Sequence, residues 1–202
     1  MNKKVMFFID GENLVLRYQS MLEQGYKPHN KVIHEKDVFV WSPQLIWPRP
    51  RDILRVTHYV SVVGDDEKIL SISSKIKELE YRYQSEPIVT EASVRVHGYV
   101  HRDTYTGHVF PRVFKKFNRQ AHSKGVDLSI AIDMLNSASL GNVDVLCLVS
   151  GDGDFIPLIE AVMRKGVQVN LLALSDGLNP QLPISADEFE CIDFLLFQKG
   201  PT

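Results

Sequence analysis

Short apolar runs alternate with segments of helical spacing along most of this chain. Lys4 to Asp10 (KVMFFID) is apolar and closes on a carboxylate. In Glu12 to Gln24 the apolar residues Leu14, Val15, Tyr18, Met21 and Leu22 then fall on one helix face. Arg55 to Val63 (RVTHYVSVV) is β-branched and stops at Gly64, which predicts a second strand. Asp65 to Tyr83 carries Ile69, Ile72, Ile76, Leu79 and Tyr83 at helical spacing, with acids in its first turn, so a helix is predicted across it. Val126 to Leu140 is helical by period and ends at Gly141-Asn142. Strand Val143 to Val149, helix Phe155 to Arg164 and strand Val167 to Leu174 follow. Each such strand and helix must bury a face, and a series of them joined by short links does so by laying helices on a mainly parallel sheet. The expected fold class is α/β and layered.

The chain has 202 residues, 44% of them hydrophobic, enough for one well-buried core, so a single domain over 1–202 is expected. Its longest apolar runs, Val145 to Val149 and Val169 to Leu174, fall far short of the roughly 18 residues of a membrane helix. Asp10 interrupts the N-terminal run before it reaches the length of a signal-peptide core. Cys147 and Cys191 give neither a metal spacing nor a disulfide framework, and a cytoplasmic location is the expectation. Between Gly25 and Arg51 the chain has Pro28, Pro43, Pro48 and Pro50, with Trp41 and Trp47, and no sustained period. This reads as an insertion or long loop, with a short helix near Pro43 to Ile46.

A formal charge of −2 hides an uneven distribution. From Ala92 to Val126 seven basic residues (Arg95, Arg102, Arg112, Lys115, Lys116, Arg119, Lys124) face one acid, Asp103. The excess suits a polyanion, although a solvated face is the commoner outcome for a charge cluster. Ser93 to Arg102 and Val109 to Phe117 flank the turn-rich DTYTG, which suggests a basic hairpin or two extended segments over about 92–122. Pro111 places one of them at an edge. Tyr99, Tyr105, Phe110 and Phe114 interleave with the basic residues and suit base stacking, with packing the use of at least half of them.

Acids stand at the ends of the apolar runs. Asp10 closes the first in FIDGEN, Asp152 and Asp154 follow Val143 to Val149 in SGDGDF, and Asp127 opens a helix in SKGVD. Open parallel sheets bind ligands beyond the carboxyl ends of their strands, so these residues are candidates for one cleft. Each alone has a plain explanation: Asp10 as a cap, Asp154 as the N-cap of the next helix, Asp127 as a first-turn acid, Asp133 as a solvated acid or a partner of the cluster. Gathered together they repel. Two like charges about 4 Å apart at an effective dielectric of about 20 cost roughly 4 kcal/mol, which calls for protonation or cations. Oxygen donors alone favour Mg²⁺ or Mn²⁺ over zinc. The histidines offer no alternative: His97 and His101 lie about 13 Å apart in an extended chain. His58 reads as a packed sheet residue, and His108 and His122 suit phosphate or solvent.

FIDGEN, KGVD and SGDGDFIPLIE, in that order and followed by the strand GVQVNLLAL, resemble the NYN domains, relatives of PIN-type nucleases, and most closely their LabA-like branch. The resemblance covers most of the chain. It implies a three-layer α/β/α sandwich with a mainly parallel central sheet, and metal-dependent cleavage of RNA. By motif position the catalytic and metal-holding acids are Asp10, Asp127, Asp152 and Asp154, with Asn13 as a polar accessory. Metal held by such acids activates a water for in-line attack, and no side-chain nucleophile is required. Asn13 and Ser150 can hydrogen-bond a phosphate or a water, and Lys124 can neutralise a phosphate. Arg112, Lys115, Lys116 and Arg119 lead toward Asp127 as a nucleic-acid track. Single-stranded RNA is the expected partner, and assembly into a homo-oligomer is left open. The sequence departs from the pattern at Gly153, where serine is common, and in Gly25 to Arg51, which is expected to shape the substrate entrance. Two other readings compete. One is an RNA-binding regulator without catalysis. The other is a haloacid-dehalogenase-like phosphatase, which needs a second acid two residues after its nucleophilic Asp; that position is Glu12, inside DGEN rather than DxDGT.

Overall fold

Both faces of Lys4–Asp10 (β1) are buried: Val5, Phe7 and Ile9 enter one apolar cluster, and Phe8 the other. That pattern belongs to a strand covered by helices on both sides. The computed structural model describes residues 3–46, 52–84, 104–116 and 124–198. After β1 come Gly11–Glu23 (α1), Ile33–Glu35 (β2), Phe39–Trp41 (β3), Asp52–Val62 (β4), Asp66–Lys77 (α2), Glu80–Gln84 (β5), Thr104–His108 (β6) and Phe110–Lys115 (β7). Lys124–Ser139 (α3), Val145–Val149 (β8), Ile156–Met163 (α4), Gln168–Ala173 (β9), Leu182–Ser185 (α5), Glu188–Cys191 (β10) and Asp193–Leu196 (α6) complete the chain.

Six strands form the central sheet in the order β10-β9-β8-β1-β4-β7, and every neighbouring pair is parallel. The chain moves outward from β1 through β4 to β7, returns to β8 on the other flank of β1, then moves outward again to β10. Strand order therefore reverses between β1 and β8, where doubly wound sheets open a crevice at their carboxyl ends. Leu14 and Val15 of α1 and Ile72 and Ile76 of α2 pack on the face that holds Val5, Phe7 and Ile9. Ile130 and Met134 of α3 and Ile159 of α4 pack with Phe8, Leu146 and Leu148 on the other. The result is the expected three-layer α/β/α sandwich.

Several local expectations need correction. The helix predicted to Tyr83 ends at Lys77, and Glu80–Gln84 is a strand that pairs antiparallel with β6. EYRYQ alternates as well as it continues a helix, and burial of Tyr81, 5% exposed, settles the choice. DTYTG is not a turn in the described part, since Thr104–His108 is the partner of β5. The rest of the expected basic hairpin, 92–103 and 117–122, lies outside the described residues. Pro111 does occupy an edge strand, β7. Within Gly25 to Arg51, β2 and β3 form an antiparallel hairpin, followed by a 3₁₀ turn at Pro43–Leu45. Trp41 is wholly buried and its Nε1–H donates to the Glu80 carbonyl at 3.3 Å, so it belongs to the core and not to an entrance. Trp47 lies outside the described residues. His58 is packed as expected, its Nε2 3.1 Å from the Val40 carbonyl. Among the described residues no helix is long and apolar enough to cross a membrane.

Candidate active site

Asp10 ends β1 and caps α1, so its carboxylate stands at the carboxyl edge of the sheet beside the switch point. Its Oδ1 accepts the Asn13 N–H at 3.1 Å and its Oδ2 accepts the Ser150 hydroxyl at 2.8 Å. Asp10 is 2% exposed. Burial pushes its carboxyl up to about 7; the bonds from Asn13 and Ser150 pull the other way, and the charges of Asp127 and Glu12 add to the rise. Asn13 reaches across to accept the Gly151 N–H at 2.9 Å, and the Asp152 N–H donates to Ser150 Oγ at 3.2 Å. These bonds tie the loop after β1 to the loop after β8.

Asp10, Glu12, Asn13, Asp127 and Asp152 line one cleft of about 310 Å³. Asp127 arrives from the first turn of α3 on the far side of the sheet from α1. Asp152 caps the 3₁₀ turn Gly153–Phe155 by accepting the Asp154 N–H at 3.0 Å, and the helix expected to be capped by Asp154 begins after Phe155, which makes no side-chain cap bond. Asp154 itself is exposed and is not among the residues lining the cleft. Of the four acids predicted, the cleft gathers three and adds Glu12. The sequence places Glu12 two residues past Asp10, in the first helical turn, and that offset carried the signal. Ser61 donates to Glu12 Oε1, and Lys116 Nζ lies 3.4 Å from the same oxygen.

The expected substrate contacts are placed as follows. Ser150 is buried and committed to Asp10 and Asp152, and Asn13 to Gly151, so both hold acids and loops in place. Arg112 Nη2 lies 3.3 Å from Asp133 Oδ2, which also accepts the Tyr59 hydroxyl at 2.8 Å. Lys115 Nζ faces Asp66 at 3.6 Å on the opposite side of β7, and Lys116 faces Glu12. Lys124 opens α3; its side chain, like Arg119, lies outside the described residues. Arg17 and Asn179 also line the cleft, and neither was singled out by motif or charge pattern.

Among the described residues, no group of three His, Cys, Asp or Glu side chains stands close enough together to enclose an ion. The donor chemistry nevertheless fits a hard divalent cation. Mg²⁺ keeps several waters and takes only one or two carboxylates, completing its shell with substrate phosphate. Carboxylates crowding a buried acid also create the excess negative charge that a cation relieves.

Fold and cleft together define a doubly wound α/β domain with an acidic crevice at its switch point. Residues 4–193 match the NYN domain, and the chain belongs to the NYN domain family, a group of PIN-like nucleases that usually use divalent metals. Among solved structures it is similar to the crystal structure of a protein of unknown function from Vibrio parahaemolyticus. The two share 18% identity over 98% of this chain and 97% of that one, with a TM-score of 0.57, a likeness of fold. No curated protein matches the chain.

Proposed function

We propose that this protein hydrolyses phosphodiester bonds of single-stranded RNA with the help of Mg²⁺ or Mn²⁺. The observation that carries the reading is the convergence of Asp10, Glu12, Asp127 and Asp152, from three separate segments, on one cleft at the switch point. Asp10, Asp127 and Asp152 are the acids that would hold the cation, with Glu12 beside them and Asp154 as an outer acid. When bound, the cation supplies positive charge to a phosphodiester and acidifies a water. The chain's own residues do the positioning. Ser150 and the Asn13 N–H fix both oxygens of Asp10, so the carboxylate is aimed before substrate arrives. Asn13 locks the loop after β8, and with it Asp152, against α1. Lys116, beside Glu12 at the end of β7, offers a positive charge to a backbone phosphate at the rim.

The test is an assay of purified protein on labelled single-stranded RNA, single-stranded DNA and a phosphomonoester, each with Mg²⁺, Mn²⁺ or EDTA. RNA is expected to be cut with a divalent cation and spared in EDTA, and Asp152→Asn to be inactive while remaining folded. Cleavage indifferent to EDTA, or turnover of the phosphomonoester alone, would overturn the reading.

A further inference from the structure

Among the described residues that line the cleft, Arg17 alone carries a positive charge, and it pairs with none of the acids that line the cleft with it. It projects from the second turn of α1. Its nearest carboxylate is Asp176, outside the cleft, at 3.9 Å from Nη1, which is beyond hydrogen-bond reach. Asp176 is itself engaged by Gln24 Nε2 at 2.7 Å. The guanidinium therefore holds five N–H donors to which the described residues give no hydrogen bond, and its Nε is buried without a partner. A buried donor left without a hydrogen bond costs free energy, which a water or a bound acceptor recovers. The fork lies against Gly177, whose φ is +61°; a Cβ there would fall 2.5 Å from Nε, so the absence of a side chain is what admits the guanidinium. The planar fork matches the oxygens of a phosphate.

Asn179 stands in the same wall. Its backbone N–H donates to the Gly151 carbonyl at 3.2 Å, and its Oδ1 accepts the Gln181 N–H at 2.9 Å. With the oxygen so committed, the NH₂ end is turned toward residue 153. A Cβ at Gly153 would lie 2.7 Å from Asn179 Cγ and would overlap Nδ2. The amide thus fills the space a serine side chain would occupy at 153, the position where this chain departs from the motif it resembles.

We propose that Arg17 and Asn179 form a phosphate-binding subsite of the cleft, taking a backbone phosphate of single-stranded RNA next to the bond that is cut, with the Asn179 amide replacing the missing hydroxyl at 153. The substrate rests on the nuclease reading; the subsite rests on the guanidinium left without a hydrogen bond and on the glycine gap.

Binding and cleavage are measured separately. Anisotropy of a fluorescein-labelled single-stranded RNA is followed in EDTA across a salt series, and cleavage of the same RNA in Mn²⁺. Arg17→Gln is expected to weaken binding about tenfold and to lower the salt slope by about 0.7, the loss of one phosphate contact. Should that variant melt early, Arg17→Lys keeps the charge without the fork and is still expected to bind several-fold more weakly. Gly153→Ser, which drives a side chain into Asn179, is expected to lose as much affinity as Asn179→Ala, and the double variant Gly153→Ser/Asn179→Ala to recover most of it. Wild-type affinity and salt slope in both Arg17 variants, or a Gly153→Ser protein indistinguishable from wild type, would overturn the subsite. Binding that depends on Arg17 without cleavage under any cation would uphold the subsite and overturn the nuclease reading. No binding of RNA by the wild type would overturn both.

Discussion

Asp10 occupies a place where a carboxylate is hard to ionise, and the cost has a definite pH dependence. Its carboxyl rises from 3.8 to about 7, first through burial. Because the folded value lies above the unfolded one, the protonated form stabilises the protein fully below about pH 4, and that contribution is lost as pH rises through 7. Above that point the metal-free protein bears a penalty on the order of 4 kcal/mol. Asp10→Asn removes the ionisation. In EDTA the variant is expected to melt above wild type at pH 8, by a margin that shrinks toward pH 4, and Mg²⁺ or Mn²⁺ is expected to narrow the gap by stabilising wild type alone. Thermal scans at pH 5 and pH 8, with and without cation, check this; a variant less stable than wild type at pH 8 in EDTA would remove the charge-crowding argument. At this scale the sequence was legible where a residue type met a boundary: Asp10, Asp127 and Asp152 end or begin elements and line the cleft. Glu12 was legible only as an acid two residues past Asp10, and Arg17 and Asn179 not at all, because a mid-helix arginine and a loop asparagine are ordinary residues until the fold brings them to one wall.

Among the elements, β7 shows how a basic run can divide. Arg112 pairs with Asp133 of α3, while Lys115 meets Asp66 of α2, so neighbouring cations on one strand serve opposite faces of the sheet. Lys116, past the strand end, turns to Glu12 at the cleft and is largely sheltered, its side chain 15% exposed. Charge counting along the segment cannot separate these roles; the strand period does. Lys116→Glu is accordingly expected to raise the KM for RNA at least tenfold, by setting a second acid against Glu12, whereas Lys115→Glu changes it less than about twofold, since an exposed pair contributes little. Equal effects of the two would mean that β7 is a uniform basic face. The hairpin β2–β3 makes a second test. Trp41 is buried, so Trp41→Ala is expected to cost about 3–5 kcal/mol in urea denaturation while leaving the KM of the folded fraction unchanged. The strands buried on both faces were visible as continuous apolar runs, whereas β2, β3, β5 and β6 were hidden: at three to five residues they are too short for a period that outweighs their neighbours.

The position of the cleft is a property of the whole chain. Nothing within β1 or β8 alone says that they are neighbours; the return from β7 to the other flank of β1 makes them so and puts the loop after each on the same crevice. The alternation of runs predicted a parallel sheet but not this order, because order depends on which way each crossover packs. The same arrangement bears on whether water or a side chain attacks the substrate in the proposed reaction. A phosphatase of the haloacid-dehalogenase kind would use the strand-ending Asp10 as nucleophile, yet that carboxylate is 2% exposed and both its oxygens already accept hydrogen bonds. The bonds from Asn13 and Ser150 hold it in one orientation, and each oxygen keeps a lone pair for a cation, the role the proposed mechanism gives it. Direct attack by water inverts configuration at phosphorus, whereas a covalent intermediate on Asp10 retains it through two inversions. Cleavage of an RNA carrying one chiral phosphorothioate in ¹⁸O water is expected to give inversion, and acid-quenched protein from a single turnover to show no added mass. Retention, together with a phosphoryl adduct on Asp10, would place the nucleophile on the protein and make the cleft a phosphotransferase site.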